Sequence, residues 1–393
     1  MKKLLSISAI AGTTLLGLAA LTGTAAAAGP TCEGGVIQLG GVSSVTGPVD
    51  FSEVPNAAKA TFDQINAAGG INGCKLEYTI ADDKGDPQVA AQAARDLIDN
   101  KGVVAMVGAG SLLDCAVNAG TYADNNVMAV QGLGVDAACF ATPSVSPVNV
   151  GPFTLATAML QYADQSLRDE KLCAFFQILG GTAEAYTNAV KRWEQISGKT
   201  IHLLDITLPV QGDLTAYVLK ARDAGCDAVL TNQVEPQIVQ MINTVDAQKI
   251  EGIDWLFLAP GYSEGVAAAL AASPQPIYVG TEWEPYTEAS DANKDWASAM
   301  EAAGLKKTAF TQGGYLAATV MADVIASIDG PVTRDSVTAK LKEGIEMPYS
   351  IIGSAYKFGD APSHSSMQAT KIMQLQGGKW TLITPEWVIL PQS

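Results

Sequence analysis

The chain has 393 residues, of which 48% are hydrophobic and 16% charged, and its formal net charge at pH 7 is −16. So acidic a protein is not expected to bind nucleic acid or anionic lipid, because both attract basic surfaces. The length exceeds what one hydrophobic core usually supports, so we expect two folded units.

Residues 1–28 are typical of a secretory signal peptide. Lys2 and Lys3 form a basic start, an apolar stretch runs to Leu21, and residues 24–28 offer an A-x-A cleavage site. A single membrane anchor is the alternative, but the apolar stretch is short and rich in Ala, Gly, Ser and Thr. We therefore expect a soluble protein, periplasmic or secreted. Without Lys2 and Lys3 it has 22 basic and 40 acidic residues and a net charge of −18.

Short apolar runs and helical patterns alternate along the rest of the chain, which predicts an α/β fold with parallel sheets and right-handed crossovers. The clearest helix begins at Asp86-Pro87, where an N-cap residue precedes a proline. Gly151-Pro152 separates a first series of strands and helices from a second. The predicted strands are 36–39, 76–80, 103–107 and 127–130 in the first series, and 174–178, 201–204, 228–230, 255–258 and 277–279 in the second.

Six cysteines in an exported chain are expected to form disulfides, because that compartment is oxidising. Cys32 is not a lipidation site, since Pro and Thr precede it where small residues would be needed. No metal site is expected, because there is no C-x-x-C and neither histidine lies near a cysteine. Two pairs would join the starts of neighbouring strands and the third follows by elimination: Cys32–Cys74, Cys173–Cys226 and Cys115–Cys139.

A glycine-rich corner at 65–77 is the most specific motif of the chain. An amphipathic helical pattern precedes it, Gly69 and Gly70 can adopt the positive φ that ends a helix, and Asn72-Gly73 turns into the next strand. Its sequence pattern, IN-x-x-GGINGxKLE, resembles the first helix-to-strand corner of the type 1 periplasmic solute-binding proteins, the leucine/isoleucine/valine-binding group of ABC transporters.

The resemblance implies two Rossmann-like lobes with parallel sheets, joined by a three-strand hinge that crosses near residues 150–151, 281–283 and 352–354. Lobe 1 would comprise 33–150 plus 282–353, and lobe 2 would comprise 151–281 plus 354–393. The implied function is capture of a small organic solute in the interlobe cleft and its delivery to an ABC permease in the membrane. We expect a monomer that closes about its hinge. A ligand sensor of the same fold, reporting to a membrane receptor, is the alternative.

Loops after the strands of lobe 1 carry the expected polar contacts to the ligand. The resemblance assigns the ligand's carboxylate to Ser111, at the start of a helix, although capping of that helix would also explain this serine. Ser44 and Thr46 either reach a polar head group or only complete their turn. Gln131 and Gly132 stand where the family offers a backbone carbonyl and a hydroxyl, and the hydroxyl is missing here.

In lobe 2 the sequence departs from the family. Gly181 replaces a tyrosine that walls the ligand, and Gly261 or Tyr262 stands where amino-acid binders carry the glutamate that pairs with the ligand's ammonium. An unpaired buried ammonium would cost on the order of several kcal/mol, which disfavours an α-amino acid unless Glu235 substitutes. We therefore expect either a branched-chain amino acid-like ligand or an aromatic or apolar carboxylate. Further candidates for contacts with the ligand are Gln233 and, among aromatic residues, Tyr262, Trp283, Tyr286, Phe310 and Tyr315.

An enzyme is not expected, and neither is a cofactor. His202 alternates within a predicted strand and His364 lies in a polar loop, and neither has a nucleophile motif nearby. The segment G-A-G-S-L-L at 108–113 lacks the third glycine of a dinucleotide-binding loop. A hydrolase or amidase using His364 or Ser111 is the remaining enzymatic alternative.

Overall fold

The computed structural model describes residues 29–391 except 48, 180, 365 and 366. The expected signal peptide lies outside these residues. Within the described chain, no helix has both the length and the apolar character needed to cross a bilayer.

The described strands are β1 (Pro30–Thr31), β2 (Val36–Ser43), β3 (Lys75–Asp82), β4 (Ala105–Val107), β5 (Gly110–Ser111), β6 (Ala129–Gln131), β7 (Leu133–Gly134), β8 (Val145–Pro147), β9 (Leu172–Phe175), β10 (Leu203–Asp205), β11 (Ala228–Thr231), β12 (Asp254–Phe257), β13 (Ile277–Thr281), β14 (Gly330–Pro331), β15 (Ala369–Gln376), β16 (Lys379–Leu382) and β17 (Val388–Ile389). The α-helices are α1 (Glu53–Ala67), α2 (Pro87–Arg95), α3 (Asp114–Asp124), α4 (Ala137–Phe140), α5 (Pro152–Tyr162), α6 (Ala183–Ser197), α7 (Thr215–Ala224), α8 (Glu235–Ala247), α9 (Glu264–Ala269), α10 (Lys294–Ala302), α11 (Ala309–Ala326) and α12 (Arg334–Lys342). Single π-helical turns, Asp96–Asn100 and Ala163–Leu167, continue α2 and α5.

The first sheet is parallel, with strands in the order β3-β2-β4-β6-β8. Because side chains alternate along a strand, Leu39 and Val107 pack with Phe62 of α1 on one face. Met106 packs with Tyr122 of α3 on the other face. Helices therefore cover both faces, as parallel sheets require.

The glycine-rich corner joins α1 to β3 through specific contacts. Gly70 has φ +80°, and a side chain there would place its Cβ 2.1 Å from the Cys74 carbonyl oxygen. Asn66 donates from its side-chain amide to the Leu76 carbonyl and accepts from the Leu76 amide, both at 2.8 Å. These contacts explain why the motif needs its glycines and its asparagine.

The second sheet has the order β10-β9-β11-β12-β13-β15-β16, and its first five strands are parallel. Each of the nine predicted strands overlaps an observed strand. The sheet is not parallel throughout, however, because β15 is antiparallel to β13, and β16 and β17 are antiparallel to β15. Gly377 and Gly378, both with positive φ, form the two-residue turn between β15 and β16.

All three disulfides join the pairs expected from the strand positions. Cys32–Cys74 and Cys173–Cys226 connect strand starts within one sheet each, and Cys115–Cys139 connects α3 to α4. None links the first sheet to the second, so the disulfides do not restrict movement between them.

The boundaries of the two lobes remain a proposal. Contacts made by residues that follow the third crossing, near 352–354, bear on where lobe 1 ends. The Tyr356 hydroxyl donates to the Ser146 carbonyl at 3.3 Å, and the His364 Nδ1 lies 2.8 Å from the Val145 carbonyl oxygen. Both partners belong to β8 of the first sheet. We propose that lobe 1 extends to about residue 364, later than the residue 353 expected from the sequence.

Candidate functional site

Both sheets begin with the same order of strands, in which the first strand of the series lies between the second and the third. In such sheets ligands bind beyond the carboxyl ends of the strands, where the order reverses. The reversal lies between β2 and β4 in the first sheet and between β9 and β11 in the second. We call the loops that follow these strands the lobe 1 edge (44–47 and 108–113) and the lobe 2 edge (176–179, 181–182 and 232–234).

At the lobe 1 edge, the loop with Thr46 already holds a carboxylate of the chain. Asp82 accepts from the Val45 amide at 3.0 Å, from the Thr46 amide at 3.1 Å and from the Thr46 hydroxyl. Burial raises the pKa of Asp82, but hydrogen bonds from Thr46, Lys84 and Val45 outweigh it and hold the pKa below its ordinary value. Thr46 therefore completes its turn, while a contact to a ligand remains a prediction.

Ser111 is 2% exposed, and its hydroxyl is engaged on two sides. It donates to the buried carboxylate of Asp83 and accepts from the amides of Leu113 and Asp114, each at 3.0 Å. Ser111 thus caps the start of α3. Its expected role in binding a carboxylate remains a prediction, and the neighbouring negative charge disfavours it.

Gln131 belongs to a buried polar network beneath the lobe 1 edge. Its side-chain amide donates to Asp114 at 2.5 Å, and Asp114 also accepts from Asn118 at 2.8 Å and from the Tyr122 hydroxyl at 2.5 Å. Burial raises the pKa of Asp114 to about 6, against the effect of these hydrogen bonds and with a contribution from Asp83. From the sequence, Asp83 and Asp114 were interpreted as isolated carboxylates and were not expected at the site; their positions at a strand end and at a helix start were the available signal.

Ser44 and Gly132 were also expected at the lobe 1 edge, and their surroundings differ from each other. The Ser44 hydroxyl is buried and has no hydrogen-bond partner in the described chain. It is therefore free to bind a ligand group or a water molecule. Gly132 is a packing residue, because a Cβ there would lie 2.6 Å from a methyl group of Val54 on α1.

At the lobe 2 edge, the loops after β9 and β11 are joined by a reciprocal pair. The Gln177 amide donates to the Asn232 side chain at 2.8 Å, and Asn232 donates back to the Gln177 carbonyl at 2.9 Å. Gln233 is fully buried, and its side-chain nitrogen has no partner in the described chain. Gly181 is exposed and a Cβ there would meet nothing within 4 Å.

Large apolar side chains are exposed around this edge. Leu179 follows β9, Ile206 and Val210 follow β10, and Val234 follows β11. Their exposed fractions are 51%, 38%, 39% and 43% in that order. The sequence analysis did not single out these four residues.

Glu235 and Tyr262 make contacts within lobe 2. The Glu235 carboxylate accepts from the Ser263 hydroxyl at 2.6 Å and so ties α8 to the start of α9. Tyr262 is 5% exposed, and its ring centroid lies 4.4 Å from that of Tyr286. Its hydroxyl is 2.7 Å from the Thr287 Oγ1. Burial raises the pKa of Tyr262 to about 12.

Tyr315 is half-buried on α11, where it packs against the core of the first sheet. Burial raises its pKa, and Asp295 and Asp323 add to that effect. The structure thus places Ser44, Thr46 and Ser111 at the lobe 1 edge and Gly181 and Gln233 at the lobe 2 edge. The other expected residues lie outside these edges: Gln131, Gly132, Glu235, Tyr262 and Tyr315.

Glu282 connects two of the hinge crossings. Its carboxylate accepts from the Asn149 side chain at 2.8 Å and from the Gly151 amide at 2.7 Å. Asn149 in turn exchanges hydrogen bonds with the backbone of Gly134, on β7. Burial raises the pKa of Glu282 to about 7, and its hydrogen bonds oppose that shift.

No group of three or more His, Cys, Asp or Glu side chains is arranged to hold a metal ion in the described part of the chain.

Comparisons with known proteins agree with this architecture. A family described as periplasmic binding protein matches residues 36–379. The Leu/Ile/Val-binding protein BraC3 of Rhizobium johnstonii is 25% identical over 356 residues, which cover 84% of this chain and 90% of that protein.

Two solved structures share the two-lobed fold. The first is the branched-chain amino acid transporter substrate-binding protein LivJ of Streptococcus pneumoniae in complex with isoleucine. It has a TM-score of 0.74 and 16% identity, over 90% of this chain and 100% of that one. The second is an ABC transporter solute-binding protein of R. palustris in complex with 4-hydroxybenzoate, with a TM-score of 0.72 and 14% identity, over 90% and 96% of the two chains.

The matched family consists of substrate-binding proteins of ABC transporters and not of enzymes, which removes the hydrolase alternative. Because the match extends over most of the sequence and both sheets, this chain belongs to the periplasmic binding protein family, of the branched-chain amino acid transporter type.

Proposed function

We propose that this chain is exported, captures a small and largely apolar organic solute between its two lobes, and delivers it to an ABC permease. The observation that carries the proposal is the position of the two strand-order reversals, one per lobe, each with loops suited to a ligand. The family supports the transport role, and the export signal at residues 1–28 supports the location.

Hinge closure is the proposed mechanism. A ligand that touches both lobes stabilises the closed state by its differential affinity for that state over the open one. The three disulfides leave the lobes free to rotate, since each lies within one lobe. A permease would then recognise the closed form.

The contacts favour a solute without an ammonium group. At the lobe 2 edge Glu235 is held by Ser263, and Tyr262 lies in the core. The described residues of this edge, 176–179, 181–182 and 232–234, include no acidic side chain that could pair with an ammonium in the manner of the amino-acid binders. The R. palustris protein in complex with 4-hydroxybenzoate is an example of this fold with a ligand that lacks an amino group.

A thermal-shift screen of the chain without residues 1–28 tests this proposal. The panel contains leucine, isoleucine and valine, aromatic and aliphatic carboxylates, and neutral apolar solutes. A ligand at about 100 times its dissociation constant adds roughly 2.7 kcal/mol to the unfolding free energy, which gives a visible rise in Tm. A response to apolar solutes and none to leucine supports the proposal. A response to leucine alone would contradict the solute class, and silence across the panel would contradict small-solute binding.

A further inference from the structure

We propose that lobe 2 provides an aliphatic half-site for the alkyl part of the solute, formed by the residues we call the aliphatic patch: Leu179, Ile206, Val210 and Val234. The inference rests on the proposed function and specifies the class of its ligand. The solute would carry an uncharged linear or branched alkyl chain, and that chain would lie on the patch.

The register of the second sheet brings the patch residues to one edge. Asp205, Phe175 and Thr231 lie side by side on the neighbouring strands β10, β9 and β11. Each patch residue follows one of these three aligned positions by one to five residues. Because neighbouring strands are about 4.8 Å apart, the three loops span roughly 10 Å, within reach of a chain of several carbons.

The aliphatic patch contains most of the highly exposed large apolar side chains of the described chain. Among the described residues, the large hydrophobic side chains with the greatest exposure are the four of the patch together with Ile345 and Ile389. Single exposed apolar residues are ordinary, but four of them on the loops that follow three neighbouring strands indicate a binding surface. Leu179 and Val234 lie on either side of the strand-order reversal itself.

Hydrogen bonds fix the loop that carries Val210. The Gln177 side chain donates to the Pro209 carbonyl at 2.8 Å, and the Gln237 side chain donates to the Val210 carbonyl at 3.1 Å. The Gln240 side chain donates to the Gly212 carbonyl at 2.7 Å. A surface built in advance costs less conformational entropy when a ligand binds.

Three acidic residues lie close to the patch in sequence: Asp205, Asp213 and Glu235. Asp205 accepts from Lys220 at 2.6 Å and from the Thr207 hydroxyl at 2.6 Å. Glu235 accepts from Ser263. Asp205 is thus ion-paired, whereas Glu235 is bound by a hydroxyl. The patch therefore offers an aliphatic surface next to a carboxylate, so an anionic head group would have to bind at the lobe 1 edge.

Binding of 1-butanol, 1-hexanol, 1-octanol and benzyl alcohol to the chain without residues 1–28, measured by saturation-transfer NMR and calorimetry, tests the inference. We expect affinity to rise roughly fourfold with each added methylene group. The variant Leu179→Ser/Val234→Ser should lose most of this dependence on chain length. The control Ile345→Ser/Ile389→Ser removes the same kind of exposed side chain elsewhere and should bind like the wild type.

Three results would overturn the inference. In the first, affinity is independent of chain length and benzyl alcohol binds best. In the second, the patch variant binds like the wild type. In the third, the patch variant changes only the self-association measured by ultracentrifugation, which would make the patch an interface between copies. If one of these results is obtained while a solute of the wider panel binds the wild type, the proposed function survives and the patch assignment fails. If no solute of either series binds, both fail.

Discussion

Two buried acids lie at positions that connect structural elements, and burial raises the pKa of each. Asp114 lies at the start of α3 under the lobe 1 edge, and Glu282 lies between two hinge crossings. Asp114 accepts three hydrogen bonds and Glu282 accepts two, and within the described chain no basic side chain is among these donors. Their carboxylates therefore keep the desolvation cost that an ion pair would offset.

The variant Glu282→Gln should remove part of the pH dependence of stability. The folded-state pKa of Glu282 is raised from 4.5 to about 7, so the folded chain binds the proton more tightly than the unfolded chain. The stabilisation is complete below about pH 4.5 and is lost as the pH rises through 7. The variant should thus gain up to roughly 3 kcal/mol over the wild type at pH 8. Urea unfolding at pH 5 and pH 8 measures this.

The exposed residue Glu33 provides the matched control. Glu33→Gln should leave the difference between pH 5 and pH 8 unchanged. If Glu282→Gln keeps the wild-type pH dependence, the assignment of this acid to the hinge network is wrong.

The variant Ser111→Ala tests whether this hydroxyl caps α3 or binds solute. Loss of the cap and of the donor to Asp83 should lower the unfolding free energy by about 1–2 kcal/mol, measured by guanidinium unfolding. Ser166→Ala, on an exposed helical turn, is the control and should change little. Unchanged stability with weakened solute binding would instead support the carboxylate-binding role.

At the scale of elements, two glycines let α11 lie closely against α1 and against the loop that follows β6. A Cβ on Gly314 would lie 2.0 Å from the Val54 carbonyl oxygen, and one on Gly313 would lie 2.3 Å from the Gly132 carbonyl oxygen. Because of this close approach, α11 packs against the loop that follows β6. Helix packing thus fixes one side of the lobe 1 edge.

The variant Gly314→Ala should destabilise the chain by about 1–3 kcal/mol, because the helices would have to separate. Gly120, on α3, is a matched control with nothing within 4 Å of its Cβ position. Gly120→Ala should raise the unfolding free energy by up to about 1 kcal/mol through helix propensity. Thermal unfolding of the two variants measures the difference, and equal effects would refute the close-packing account.

Local sequence patterns predicted the parallel strands of both sheets well. Apolar runs marked nine of the ten strands in the two parallel arrays, because buried parallel strands have a distinctive composition, and only β8 among them was missed. The antiparallel strands after residue 369 were missed, although Gly377-Gly378 between β15 and β16 was a hairpin signal.

The candidate site was less predictable. Its chemistry depends on which side chains meet across strands far apart in sequence. The contact of Ser111 with Asp83 and the grouping of Leu179 with Val234 follow from sheet register, which no local motif encodes.

At the scale of the whole molecule, two sheets with the same strand order are joined by a hinge. Glu282 connects the first crossing to the second. Near the same hinge, Lys371 of β15 pairs with Glu284 at 2.8 Å, and both side chains are largely buried. Disulfides thus lie within each lobe, and polar contacts lie at the hinge. This arrangement is suited to rigid-body closure about a bound solute.

Hydrogen exchange measured by mass spectrometry, with and without the strongest solute of the panel, tests the central claim most directly. Binding between the lobes should slow exchange at residues 44–47 and 108–113 of lobe 1 and also at 177–182 and 232–236 of lobe 2. Slowing in one lobe only would contradict the two-lobe account. So would slowing confined to the surface groove of about 780 Å³ beside α10, which Tyr286, Lys294 and Trp296 help to line.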